Sequence, residues 1–167
     1  MSDALINNSF WSFAVAYYTP EKEEILLVLQ DDHGLDCCWL LFCVWLSQKN
    51  KVLPLPENNP VYQYIKGWNK QVIEPIRYLR QRLKEPVEKR AITQGYKFRQ
   101  QIKHLELWAE NRYMYWLYCS ADFYLNTADD KQLVRLNTDC YINHYTELTS
   151  INRKLKKQLE QWLMLAH

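Results

Sequence analysis

The stretch LQDDHGLDCCWLLFCVWL, residues 29–46, limits what this chain can fold into more than any other. It joins a helix-ending glycine to an uncharged apolar run from Cys37 to Leu46. That run is about half the roughly 20 residues a membrane-spanning helix needs. A helix that is apolar all round belongs inside a core. Gly34 stands where a left-handed residue commonly ends a helix. Asp36 stands where a side-chain oxygen caps the next one. Asp31, Asp32 and His33 then fall in the last turn of the first helix, where the dipole disfavours the two anions. Acids at that end are a local inconsistency of the kind that can mark a site.

The rest of the chain repeats the pattern of cap, stripe and stop. Its 167 residues include only 3 glycines and 6 prolines, too few punctuators for a turn-rich sheet protein. Asn8 or Ser9 can cap a first helix, and Thr19-Pro20 starts a second, with Glu21, Glu23 and Glu24 in the dipole-favoured first turn. Residues 49–60 read as a loop. A short helix PVYQYIKGW follows, with Gly67 a possible break, then NKQVIEPIRYLRQRLKE with Pro75 as a start or a kink. A long amphipathic helix runs from Tyr96, another starts at Thr127, and Thr149 or Ser150 caps the last. These signals predict an all-α fold, a single-domain bundle of about seven helices over residues 1–167. Its C-terminal helices occupy about 127–166, and its circular dichroism is dominated by helix.

The five cysteines are odd in number and lack C-x-x-C spacing. They read as free thiols packed like small hydrophobes, which suits a reducing compartment. The N-terminus has no basic segment leading into an apolar one, so no signal peptide is expected. A cytoplasmic protein with no membrane span follows.

Three segments together carry a resemblance. LVLQDDHGLDCCWLLFCVWL matches a helix–His-Gly–helix signature, EPIRYLRQRLKE a P-LR-x-LR-x-x-LK segment, and IKHLELWAE a K-x-x-EL-x-AE segment. In this order they resemble a family of small bacterial proteins described as a domain of unknown function, the one numbered 2390, over about residues 10–125. Cys37-Cys38 departs from the Val-Asn expected there. The resemblance implies a bacterial, cytosolic, all-helical protein and carries no activity with it.

Two constellations compete for function. His33 and Asp36 flank Gly34, and Glu106 and Glu110 stand at i, i+4 on the long helix. This set could serve a metal or acid–base site, as inward carboxylates and histidines do in helical bundles. The chain lacks their Glu-x-x-His signature and also H-E-x-x-H, so the plainer reading is a polar contact between the turn and the long helix. Leu105 and Trp108 mark that helix's expected buried face. Glu106 and Glu110 lie partly off it, near Lys103 and Arg99. The second constellation is basic. Residues 77–103 carry a net charge of +7 against −6 for residues 1–36, although the whole chain is only +2. Arg77, Arg80 and Lys84 share one helical face suited to phosphates, with Tyr78 and Tyr96 nearby for stacking. The same face could instead be solvated, or bind acids of its own fold. There is no G-x-S-x-G and no glycine-rich phosphate loop.

The reading that results is a macromolecule-binding module, for protein or nucleic acid, that uses Arg77, Arg80 and Lys84. The alternative is a metal-dependent or acid–base helical enzyme using His33, Asp36, Glu106 and Glu110, and a purely structural scaffold is the third. No cofactor is expected, the metal question stays open, and an enzyme is the less favoured class. His33 is expected to contact Glu106 or Glu110, and replacing Arg77, Arg80 and Lys84 with Gln is expected to weaken binding and leave the melting temperature nearly unchanged.

Overall fold

The computed structural model describes residues 5–83, 91–127, 132–148 and 150–166, with side chains of the second segment described from Gly95 onward. Of these residues 78% are helical and none forms a strand. Helix α1 is Ser9–Tyr17, α2 Pro20–His33 and α3 Cys37–Gln48. Helices α4, Tyr62–Trp68, and α5, Glu74–Arg82, are joined by a π-turn, Asn69–Ile73. Helix α6 is Ala91–Ser120, α7 is Leu133–Cys140 with a second π-turn over Tyr141–Tyr145, and α8 is Arg153–Leu165. Counting α4 to α5 as one rod gives seven helices among the described residues, as the sequence led us to expect.

The caps explain most boundaries. Asn8 accepts the Trp11 N–H at 2.9 Å, Asp36 that of Cys38 at 2.8 Å, and Asn152 that of Leu155 at 2.8 Å. Thr19 and Pro20 open α2 through backbone geometry, without a side-chain bond. Four expectations move, the first being α6, which begins at Ala91 rather than Tyr96. Gly67 lies within α4 and does not break it. The discontinuity instead falls at residues 69–73, just ahead of Pro75. Proline brings no N–H and its ring crowds the carbonyl four residues back, and the wider turn accommodates both. Helix α7 starts at Leu133 rather than Thr127. The Thr127 N–H donates to the Asn50 carbonyl at 2.8 Å, which ties that strand-like segment to the 49–60 loop. Asn152, not Thr149 or Ser150, caps α8, and Thr149 lies outside the described residues.

Helix α3 is the centre of the core. Every residue from Cys38 to Leu46 is buried, as the apolar run requires. Among the described residues no helix is long and apolar enough to cross a membrane. Around α3 pack α1, α2, α6 and α7, while α8 covers α2 and α5 lies along α6. Large rings fill the space. Phe10 sits 5.1 Å from Phe42 and 5.4 Å from Trp45, and Phe42 stacks on Trp45 at 5.8 Å. Offset and tilted pairs of this kind contribute beyond their area. Buried Asn137 fixes the proline-rich loop to α7: its Oδ1 accepts from Leu53 N–H at 2.8 Å and its Nδ2 donates to the Lys51 carbonyl at 3.0 Å.

Candidate functional site

The His-Gly-Leu-Asp joint is built as its residues dictate. Gly34 has φ 68°, the left-handed region, and its N–H bonds the Gln30 carbonyl at 2.9 Å. The Leu35 N–H reaches back to Leu29 at 3.2 Å and the Leu35 side chain is buried, the arrangement that closes a helix and starts a reversal. Asp36 is then anchored three ways. One carboxylate oxygen caps α3, the other accepts the Tyr113 hydroxyl at 2.7 Å, and its N–H donates to the Tyr141 hydroxyl at 2.8 Å. The joint is thereby tied to the middle of α6 and to the π-turn after α7. Burial pushes the Tyr113 and Tyr141 hydroxyls well above their ordinary pKa, so both stay protonated.

Asp32, one of the two acids at the wrong end of α2, has a partner that the local sequence does not reveal. Lys154 on α8 donates to Asp32 at 2.7 Å and holds its carboxyl below the usual range. His33 hydrogen-bonds Gln158, also on α8. The expected contact of His33 with Glu106 or Glu110 is therefore corrected, because α8 covers this end of α2 and supplies both partners.

Glu106 and Glu110 belong to a second cluster. Arg77 donates through Nε to Glu106 at 3.1 Å and through Nη2 to Glu110 at 2.8 Å. Arg80 grips both oxygens of Glu106. Glu106 is only 5% exposed, while Leu105 is 48% exposed. The buried face of α6 is thus turned one residue from the expected one, because the α5 arginines make burial of a carboxylate possible. Burial pushes Glu110 above the ordinary carboxylate value; Arg77 opposes this, while Glu106 and Asp36 reinforce it. Burial also works against the Arg77 charge, but Glu110 and Asp36 outweigh it and hold the guanidinium charged. Arg77 and Arg80 are thus engaged inside the fold, as the reading of a face bound to its own acids allowed. Lys84 lies outside the described residues.

What the joint does border is a pocket of about 290 Å³. Trp39, Tyr113, Tyr141 and Tyr145 wall it, His33 and Asp36 flank it, and Lys66, Lys70 and Glu147 stand among its lining. Lys66 and Lys70 meet Glu147 at 3.3 and 2.7 Å. Hydrogen bonds from these two lysines, Lys70 first, keep Glu147 below its usual pKa. Reasoning from the sequence missed these residues, although Lys66/Lys70 and Tyr141/Tyr145 each show the i, i+4 spacing that places two side chains together. Among the described residues no three His, Cys, Asp or Glu side chains gather where they could hold one metal ion. The five cysteines are free thiols. Burial raises Cys38 and Cys43 well above the ordinary thiol value, which keeps them poor nucleophiles.

Fold and site together define an all-α protein with a tyrosine-walled pocket at a helix–glycine–helix joint and a basic two-helix arm beside it. The chain belongs to the family described as Protein of unknown function (DUF2390), whose model matches residues 9–117. No curated protein and no solved structure matches it. The matched span includes the joint, both arginines, Glu106, Glu110 and Tyr113; Tyr141, Tyr145 and Glu147 lie beyond it.

Proposed function

We propose that the protein is a binding module whose α5–α6 arm docks a polyanionic macromolecule, with single-stranded nucleic acid as the partner of fitting chemistry. The observation that carries this reading is the composition and exposure of the arm. Residues 75–83 and 91–105 hold Arg77, Arg80, Arg82, Lys97, Arg99 and Lys103, and no acid. Arg82, Lys97 and Lys103 are exposed, and so are Tyr78 at 65%, Tyr96 at 60% and Phe98 at 48%. Tyr78 and Arg82 are one turn apart on α5, as are Tyr96, Arg99 and Lys103 along α6, so rings and cations alternate along each helix. Exposed rings accept stacked bases whatever their sequence, and interleaved cations take the phosphates. In this reading Arg77 and Arg80 hold the arm against the body and add to its field. Arg82, Lys97 and Lys103 make the contacts.

Fluorescence anisotropy with a labelled single-stranded oligonucleotide tests it. Affinity should fall with salt along a log–log slope of about −0.7 per phosphate contacted. Replacing Tyr78 and Tyr96 by Ala should weaken binding by about 1–3 kcal/mol per stacked base lost. No detectable binding at about 50 mM salt would remove nucleic acid and leave an acidic protein surface as the partner.

A further inference from the structure

We infer that the pocket at the His-Gly-Leu-Asp joint is a binding site for a small planar organic anion, its charge held by Lys66 and Lys70 and its ring held against Trp39, Tyr62 and Tyr145. This site is separate from the basic arm and does not depend on it.

Its walls are unusual in one shared respect. Helices of π type take well under 1% of residues in ordinary proteins and are frequent at functional sites. The two among the described residues, Asn69–Ile73 and Tyr141–Tyr145, both supply lining to this one pocket, through Asn69 and Lys70 on one side and Tyr141 and Tyr145 on the other. The third side is the left-handed turn at Gly34. Three departures from regular helix meet at one concavity, and none of them closes it.

The polar groups are arranged as a ligand site needs. Tyr113 and Tyr141, both nearly fully buried, bring their hydroxyls to Asp36. The Tyr141 hydroxyl accepts from the Asp36 N–H, which leaves its own hydrogen available to donate. Lys66 and Lys70 lie one turn apart and both meet Glu147, whose side chain is 70% exposed. An exposed carboxylate between two lysines contributes little to stability, so a ligand can replace it at little cost to the fold. Glu147 occupies the position where a ligand carboxylate or phosphate would sit. Asp36 and Glu74 also line the pocket, so the ligand anion enters by exchange with Glu147 and takes over its contacts to both lysines. Behind the lysines the walls are aromatic: Trp39 stacks on Tyr141 at 5.8 Å and packs 4.7 Å from Tyr145, which meets Tyr62 edge-on at 4.7 Å. The volume, about 290 Å³, lies at the small end of the roughly 300–1,000 Å³ that ligand sites occupy, so the body that enters is a single ring system.

The test uses phenyl phosphate as the probe, with inorganic phosphate as the control, and follows both tryptophan fluorescence and thermal shift on the full chain. Phenyl phosphate should bind saturably and more tightly than inorganic phosphate. Lys66→Gln with Lys70→Gln should weaken it roughly tenfold or more, as the loss of charged hydrogen bonds does. Glu147→Gln should strengthen it, because the competing carboxylate is gone. All three substituted side chains are at least 37% exposed, so the variants should fold, and unchanged melting temperatures without the probe check this. No saturable binding of phenyl phosphate, equal binding of the two phosphates, or affinity indifferent to all three substitutions would overturn the proposal.

Discussion

One rod, residues 62–82, carries two clusters of cations and carboxylates, and they differ in almost every physical respect. At its start Lys66 and Lys70 are 37% and 50% exposed and share the 70% exposed Glu147. At its end Arg77 and Arg80 are 18% and 20% exposed and close on Glu106, whose side chain is 6% exposed. The first pair uses compact, flexible ammonium groups, the second planar guanidinium forks that bond two oxygens at once. Water screens the first and is largely excluded from the second. The lesson is that a run of positive charge in a sequence does not tell which cations are free to bind. In this rod Arg77 and Arg80 are part of the fold, while Lys66, Lys70 and Arg82 stand exposed.

The sharpest way to break that contrast is to remove one arginine. Arg77→Ala leaves Glu106 and Glu110 short of a partner in a poorly hydrated place and should cost about 3 kcal/mol, read as a shift in the urea midpoint at unchanged slope. A loss below about 0.5 kcal/mol would put Arg77 among the surface charges. Gly34→Val should come next, at about 2 kcal/mol. No atom lies within 4 Å of an added Cβ, so the whole cost arises from the positive φ. His33→Ala should lose the Gln158 bond and about 1 kcal/mol, by the same denaturation. Lys66→Gln with Lys70→Gln should change stability least, leaving the urea midpoint where it was.

Acid titration sharpens the contrast from the other side. A carboxyl whose pKa is raised by folding stabilises the native state below its ordinary pKa, and that contribution is lost as pH rises through the raised value. Glu110 is such a group. Melting temperatures of Glu110→Gln should therefore fall less than those of the parent between about pH 4 and pH 7. Glu147, held low by Lys70 and Lys66, has the opposite sign: its contribution is present above the ordinary value and lost as pH falls.

Much of the fold was legible because its signals are local. Asn8, Pro20, Gly34 and Asp36 each act within a turn, and the uncharged run after Asp36 needs only to be buried. The helix–glycine–helix joint carried both the fold and the family resemblance. What escaped a linear reading was pairing across helices. Glu106 has Lys103 and Arg99 near it in sequence, yet it bonds Arg77 and Arg80, 29 and 26 positions away. His33 sits among three aspartates, yet it bonds Gln158, 125 positions away. Helical spacing ranks neighbours on one rod and is silent about which rod lies alongside. The burial of Glu106 in place of Leu105 follows from the same limit. The π-turn before Pro75 escaped for a different reason: proline announces a disturbance, but its neighbours decide whether the helix ends, kinks or widens.

The central claim is a division of labour, with Arg77 and Arg80 holding the arm and Arg82, Lys97 and Lys103 serving its partner. One paired measurement addresses it: melting temperature and single-stranded oligonucleotide affinity for Arg77→Gln/Arg80→Gln and for Arg82→Gln/Lys97→Gln/Lys103→Gln. The account predicts that the first variant melts several degrees lower, about 2–4 °C per kcal/mol lost in a chain of this size. The second should keep its melting temperature while its affinity drops and its salt slope flattens by about 0.7 for each phosphate contact removed. The reverse pattern, with the arginine pair indifferent to stability and the exposed triad indifferent to binding, would contradict it.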